Sequence, residues 1–222
     1  MPLEGLGTTI RYHGVSHGLM EAGYRVVNRV FSLKYYLCRR LEAPLLAAEA
    51  SLPADCQFTV LDREWFENAN LDPTLELAPS SIEAGLSNGD ECIAILDSGA
   101  IIAYSWVATA PTPVAADFVA SCMPGHGYAY KWYTRPSHRG RGLVGLCVIE
   151  GLRRHVVRGG QGLMALIERT NLSAQKAAAR VGFVPAGQLL AVRLRGWSYV
   201  WNSRECRRTG LELLDGRNAR MS

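Results

Sequence analysis

Between an aromatic stretch, Tyr128 to Thr134, and an apolar stretch that starts at Leu143 stands Ser137-His138-Arg139-Gly140-Arg141-Gly142-Leu143. Tyr128 to Thr134 alternates as a strand does and Pro136 stops it, while residues 142–158 carry a helical stripe of Val148, Ile149, Leu152 and Val156. The glycines therefore sit at a strand-to-helix junction. Such a junction leaves backbone N–H groups bare at the positive end of a helix dipole, which together cradle a phosphate or pyrophosphate. Taken alone, the stretch reads equally well as a tight turn with two solvated arginines.

The rest of the chain narrows the choice. Its 222 residues are 48% hydrophobic, enough for one domain with a sizeable core. A net charge of +4 suits an anionic cofactor and does not demand nucleic acid. Cys38, Cys56, Cys92, Cys122, Cys147 and Cys206 form no C-x-x-C pair and show no metal-ligand spacing, so no metal is expected. Reduced thiols packed as small hydrophobes, and hence a cytoplasmic location, are the reading. Met1 to His17 has no signal-peptide pattern, and the apolar run Ile93 to Ala110 is broken by Asp97-Ser98-Gly99, which marks a hairpin and not a membrane span.

Along the chain, residues 18–31 have helical spacing and residues 31–41 alternate with β-formers. Residues 58–61 read as a strand and 63–70 as a short helix, with a further helical patch at 82–86. Strands follow at 91–96 and 100–108, then a loop at 111–127 with a helical piece near 115–122. Leu163 to Ile167 is a short apolar strand. Residues 171–181 form an Ala-rich helix capped by Asn171 or Ser173 and closed by Gly182. Residues 189–201 read as one last strand. Residues 1–56 are taken as an N-terminal helix and edge-strand extension of the same domain, 57–202 as its core, and 203–222 as a basic, partly mobile tail.

Two segments carry a family resemblance. Arg139 and Gly142 fill the first and fourth positions of an Arg/Gln-x-x-Gly-x-Gly/Ala loop, with Val144 in place of the usual last small residue. Asn171-Leu172-Ser173-Ala174 through Gly182-Phe183 matches an Asn-x-x-Ala/Ser…Gly-Phe signature. In this order, on either side of the strand Leu163 to Ile167, they resemble the GNAT superfamily of acyl-CoA-dependent N-acyltransferases over residues 90–200. The resemblance implies an α/β (α+β) fold: a mixed, mostly antiparallel sheet flanked by helices, with a V-shaped cleft between its fourth and fifth strands. It also implies an acyl-CoA donor, most simply acetyl-CoA. The pantetheine arm would pair with Trp132, Tyr133 and Thr134, and the pyrophosphate would sit on Arg139, Gly140, Arg141, Gly142, Leu143 and Val144. Asn171, Ser173, Ala174 and Lys176 would line the far side.

The family's catalytic pair does not carry over. Tyr130 and Lys131 stand where a strand-four carboxylate is usual, and Ala178 where a tyrosine is usual. Simple alternation puts Tyr128, Tyr130, Trp132 and Thr134 on one face of the strand, and Ala129, Lys131 and Tyr133 on the other. Tyr130 or Tyr133 as proton donor to the thiolate and Glu168 as base are the substitutes. His126, between two glycines, is expected to be exposed, whereas His138, His155 and Cys147 are expected to pack. A small-molecule amine is the expected acceptor. An acyl-carrier-protein or aminoacyl-tRNA donor, or a non-catalytic acyl-CoA-binding module, are the alternatives; no membrane partner is expected, and a homodimer is left open.

Overall fold

The computed structural model describes residues 32–42, 52–115, 118–194 and 197–215. The elements run β1 Ser32–Glu42, β2 Cys56–Leu61, α1 Arg63–Asn68, α2 Pro79–Ser87, β3 Glu91–Asp97, β4 Ala100–Ala108, β5 Thr112–Ala115 and β6 Phe118–Ser121. They continue through β7 His126–Thr134, α3 Leu143–Val157, β8 Gly162–Glu168, α4 Leu172–Val181, β9 Val184–Leu194, β10 Trp197–Asn202, α5 Arg204–Arg208 and β11 Glu212–Asp215. Eight strands form one sheet in the order β10-β9-β1-β8-β7-β4-β3-β2, and β11-β6-β5 form a second. Every neighbouring pair is antiparallel except β7 and β8. The mixed, mostly antiparallel sheet expected from the sequence is what forms.

The apolar runs of β3 and β4 are buried because both faces are covered. On one face Ile93, Ile95, Ala103 and Val107 pack under Cys147, Val148 and Leu152 of α3. On the other, Leu61, Cys92, Ala94, Tyr104 and Trp106 pack against Ile82 of α2 and Trp65 and Phe66 of α1. Ser98 and Gly99 close the β3–β4 hairpin with φ of +49° and +82°, the left-handed pair that matches strand twist. Asn171 caps α4 by accepting the Ala174 N–H at 3.0 Å, and Gly182 ends that helix at φ +101°.

Five expectations are corrected. β1 is not an edge strand: it lies between β8 and β9 and pairs with both. The stretch read as a loop with a helical piece is instead the β5–β6 hairpin. The single last strand is two, β9 and β10, paired with each other. Past residue 202 the chain is not a loose tail up to Asp215, because Cys206, Leu211 and Leu213 among its arginines are buried with Tyr36, Met164 and Leu189. Cys38 and Cys206 are joined as a disulfide, against the expectation of reduced thiols throughout. The helix expected at 18–31, and His13 and His17, lie outside the described residues. Among the described residues no helix is long and apolar enough to cross a membrane.

Candidate active site

The glycine turn is built by its backbone. A short turn at Pro136–His138 leaves β7, Gly140 and Gly142 take φ of +83° and +76°, and α3 starts at Leu143 without a side-chain cap. Nothing lies within 4 Å of a Cβ placed on either glycine. The left-handed backbone, not crowding, is what calls for glycine here. The N–H groups of Gly140 through Val144 donate to no backbone carbonyl among the described residues. Arg139 pins the turn to the strand end by donating from Nε to the Thr134 carbonyl at 3.3 Å. Such a set of free N–H groups at a helix start, with open space before them, fits a pyrophosphate.

That turn forms one wall of a cavity of about 450 Å³. Trp132, Tyr133 and Thr134 of β7 line it, as do Arg139, Gly140, Gly142, Leu143 and Val144 of the turn. Asn171, Ser173, Ala174 and Lys176, from the start of α4, complete the opposite wall. Every donor-site candidate from the sequence is there except Arg141, which is exposed and does not line it. Sequence reading missed Arg180 and Glu76, the one a further cation on α4 and the other the single acid on the wall.

β7 has one residue too many for its partner. Tyr104↔Tyr133 and Trp106↔Tyr130 are paired, so β4 advances two residues where β7 advances three. The extra residue is a β-bulge in which Lys131 takes φ +48°. Simple alternation therefore fails. Tyr130 and Tyr133 pack on the same side, with Tyr104 and Trp106, whereas Ala129 and Trp132 pack on the α3 side. Trp132 meets the Phe183 ring there, at 5.6 Å between centroids.

β7 and β8 pair only at His126↔Gly162, Gly127↔Leu163 and Tyr128↔Met164. Beyond that point β8 stays paired to β1, out to Tyr36↔Glu168. A second cavity, about 350 Å³, opens between residues 129–132 of β7 and residues 165–168 of β8. Trp132, Asn171 and Ala174 line both cavities and so connect them. A larger cavity, about 610 Å³, lies against α1 and the β3–β4 turn. It holds the Arg135–Asp72 ion pair at 2.7 Å and none of the candidate residues. Its size carries no chemistry, whereas the two joined cavities gather the glycine turn, a helix start and an open strand edge.

The catalytic candidates are less free than the sequence suggests. The Tyr130 hydroxyl donates to the Asp90 carboxylate at 2.5 Å, and burial with that carboxylate pushes its pKa far up. The Tyr133 hydroxyl donates to the Thr74 carbonyl at 2.8 Å. Both O–H protons are committed, so neither phenol is placed to protonate a thiolate in this arrangement. Glu168 lines the second cavity but is paired with Lys34 at 2.5 Å. His126 is buried rather than exposed, 3.7 Å from Glu42. His155 is buried and bonded to the Gly125 carbonyl at 3.0 Å, and His138 sits beside Ser137 and Asp97. Cys147 is buried and its thiol is pushed up by desolvation, as a packing residue would be. Asp90 is the residue that sequence reading passed over: it follows an Asn-Gly turn and its partner Tyr130 is 40 positions away.

Comparison with known proteins agrees with the fold. No curated protein matches the chain. Among solved structures, a Drosophila protein aligns with a TM-score of 0.52 at 17% identity, over 79% of this chain and 57% of its own. A GCN5-related N-acetyltransferase from Kribbella flavida also gives 0.52 at 17%, over 83% and 65%. One from Sphaerobacter thermophilus gives 0.52 at 15%, over 78% and 55%. The chain thus spans less than two thirds of the length of these relatives, and at such identities the likeness is one of fold. The sequence profile of the Acetyltransferase (GNAT) family matches residues 57–183, from β2 to the Gly182-Phe183 pair that closes α4. The match takes in the bulged strand, the glycine turn and the capped α4, and by it the chain belongs to the acetyltransferase (GNAT) family.

Proposed function

We propose that the chain transfers an acyl group, most simply acetyl, from acyl-CoA to a primary amine of a small molecule, by direct attack while both are bound. The observation that carries this reading is the pair of joined cavities with an open strand edge between them. The edge of β7 from Ala129 to Thr134 that faces β8 has no strand partner, since pairing stops at Tyr128↔Met164. An extended arm can add to it as a strand would. The free N–H groups of the glycine turn, with Arg139 and Lys176 nearby, suit the anionic end of the donor. The second cavity leaves room for the acceptor beside Trp132.

The donor brings an activated thioester, so the protein needs mainly to hold the amine against the carbonyl carbon and keep it unprotonated. The bulge serves the first task. It fixes the course of β7 between the two cavities, with Trp132 turned away from Tyr130.

Calorimetric titration with acetyl-CoA tests the reading. Wild type should bind, and Gly142→Trp should weaken binding by about tenfold or more. The indole would strain a φ of +76° and fill the open side of the turn. Absence of binding, or binding that Gly142→Trp leaves unchanged, would refute it.

A further inference from the structure

We propose that Asp90, acting through the Tyr130 hydroxyl, takes the proton that the acceptor amine must lose before it attacks. This rests on the acyltransferase reading above and supplies the base which that reading lacks.

Asp90 is 5% exposed and fully engaged. Its Oδ1 accepts from the Asn88 amide at 2.8 Å and its Oδ2 from the Tyr130 hydroxyl at 2.5 Å. Its own N–H donates to the Gly85 carbonyl at 2.9 Å, which ties it to the end of α2. Tyr130 is held just as firmly. Its ring stacks on Tyr128 at 5.5 Å and tilts against Trp106 at 6.2 Å. A phenol whose proton is given to a carboxylate presents only oxygen lone pairs on its other side. Tyr130 lines the cavity between β7 and β8, and in this scheme its lone pairs meet the acceptor there. They suit an N–H donor, which means an ammonium or amine group.

Tyr130 also lines a further cavity of about 590 Å³, and Asp90 lines that one too. The pair therefore bridges two spaces, one on the substrate side and one through which a proton on Asp90 can leave. Lys131 lines both cavities as well. The titratable groups that face the pair are Lys131 and Tyr128 on β7 and Cys92 on β3. Burial raises the Asp90 pKa above the ordinary carboxylate value, and its two hydrogen bonds and the Lys131 charge pull against that rise. A carboxylate raised in this way is a better match to a proton from an ammonium than a solvated one.

The step balances. An N–H bond of the ammonium breaks and its proton goes to the Tyr130 oxygen. The O–H proton of Tyr130 passes to Oδ2 of Asp90, so carboxylate becomes carboxylic acid and ammonium becomes amine. The freed nitrogen lone pair then attacks the thioester carbonyl, the electron pair of the C–S bond leaves on sulfur as thiolate, and the second proton shed by the acylated nitrogen goes to that thiolate, giving amide and free thiol. Tyr130 is the catalytic residue in this scheme, and Asp90 works from behind it.

The test measures kcat/KM against pH by thiol release from acetyl-CoA. The acceptors are a panel of polyamines, amino acids, aminosugars and a peptide with a free N-terminus, and the fastest amine is followed. Wild type should level off above the Asp90 titration. Asp90→Asn and Tyr130→Phe should each be slower by about a hundredfold near neutral pH. Their rates should keep climbing toward the amine's own pKa, where free amine no longer needs a base. Acetyl-CoA affinity should change little, because neither side chain lines the donor cavity and both substitutions leave the β7 backbone edge in place. A deficit that stays constant at every pH, or no deficit in Tyr130→Phe, would overturn the relay while leaving the acyltransferase reading intact. Tyr130→Phe keeps the ring stack and decides the matter if Asp90→Asn does not fold. If wild type turns over no amine, both readings fall.

Discussion

Lys131 offers a test in which the sign of the effect carries the argument. In ordinary extended backbone, replacing alanine by glycine costs about 0.5–1 kcal/mol, because the unfolded chain gains freedom. At φ +48° the alanine Cβ itself is penalised, by about 1–2 kcal/mol in the left-handed region. Lys131→Gly and Lys131→Ala both remove the ammonium, so their difference isolates the backbone. Setting about 1.5 kcal/mol of relieved strain against about 0.7 kcal/mol of chain entropy leaves glycine ahead by about 0.8 kcal/mol. For a domain of this size that is an increase in Tm of about 2–3 °C. Two residues earlier Ala129 is buried and has no positive φ, and there Ala129→Gly should lower Tm. Thermal unfolding followed by circular dichroism reads all three. Both Lys131 variants keep the extra residue and with it the donor wall, so both should still bind acetyl-CoA. Deleting Lys131 would remove the bulge and, by simple alternation, leave Tyr130 and Tyr133 on one side and Ala129 and Trp132 on the other, as they are now. A Lys131→Ala protein at least as stable as Lys131→Gly would refute the bulge.

Two further outcomes are expected. Asp72 accepts from the Thr74 N–H and hydroxyl and from Arg135, which together hold its pKa down at about 2. A depressed carboxylate stabilises the fold above its unfolded pKa and loses that contribution as pH falls through the folded one. Asp72→Asn should therefore melt below wild type near pH 6, and the gap should close between about pH 4 and pH 2; a gap that stays the same across that range would contradict the assignment. Cys147→Ala should cost about 1 kcal/mol of stability by leaving a small void under β3 and β4. It should keep the wild-type acetylation rate, and loss of turnover in a folded variant would make the thiol a reactant after all.

What the sequence shows of this site is the part with local causes. The glycines at 140 and 142, the Asn171 cap, the Gly182 stop and the hairpin at 98–99 each answer a backbone need within a few residues of themselves. Together with the family resemblance, those signals point to nearly all the residues that line the cavity beside the glycine turn. What stayed hidden depends on a distant partner. The bulge exists because of how β4 pairs with β7, and it falls on a lysine, which gives no sign of a positive φ. Asp90 reads as a turn residue until its partner Tyr130 is brought against it. The 115–122 stretch has alanines suited to a helix, yet β6 takes its place between β5 and β11.

The N-terminal strand is legible as a strand but not in its place in the sheet, and that place is what lets β7 and β8 part. A strand that leaves its neighbour exposes a row of N–H and C=O groups, which is costly unless its other edge is paired. β8 leaves β7 after Met164, in the middle of its length. It stays ordered because β1 pairs with it along its whole run, from Glu42↔Gly162 to Tyr36↔Glu168. β1 is anchored on its far side by β9, and Lys34 reaches across to Glu168 at the open end. On the opposite wall, β7 stays ordered because β4 follows it past the point of parting, to Ala103↔Thr134, with the bulge taking up the extra residue. Each wall is thus secured from behind, and the two edges that face each other are free for ligands. An edge strand added for extent alone would not do this. A strand inserted between β8 and β9 does, and residues 32–42 therefore belong to the acyltransferase fold as fully as the glycine turn.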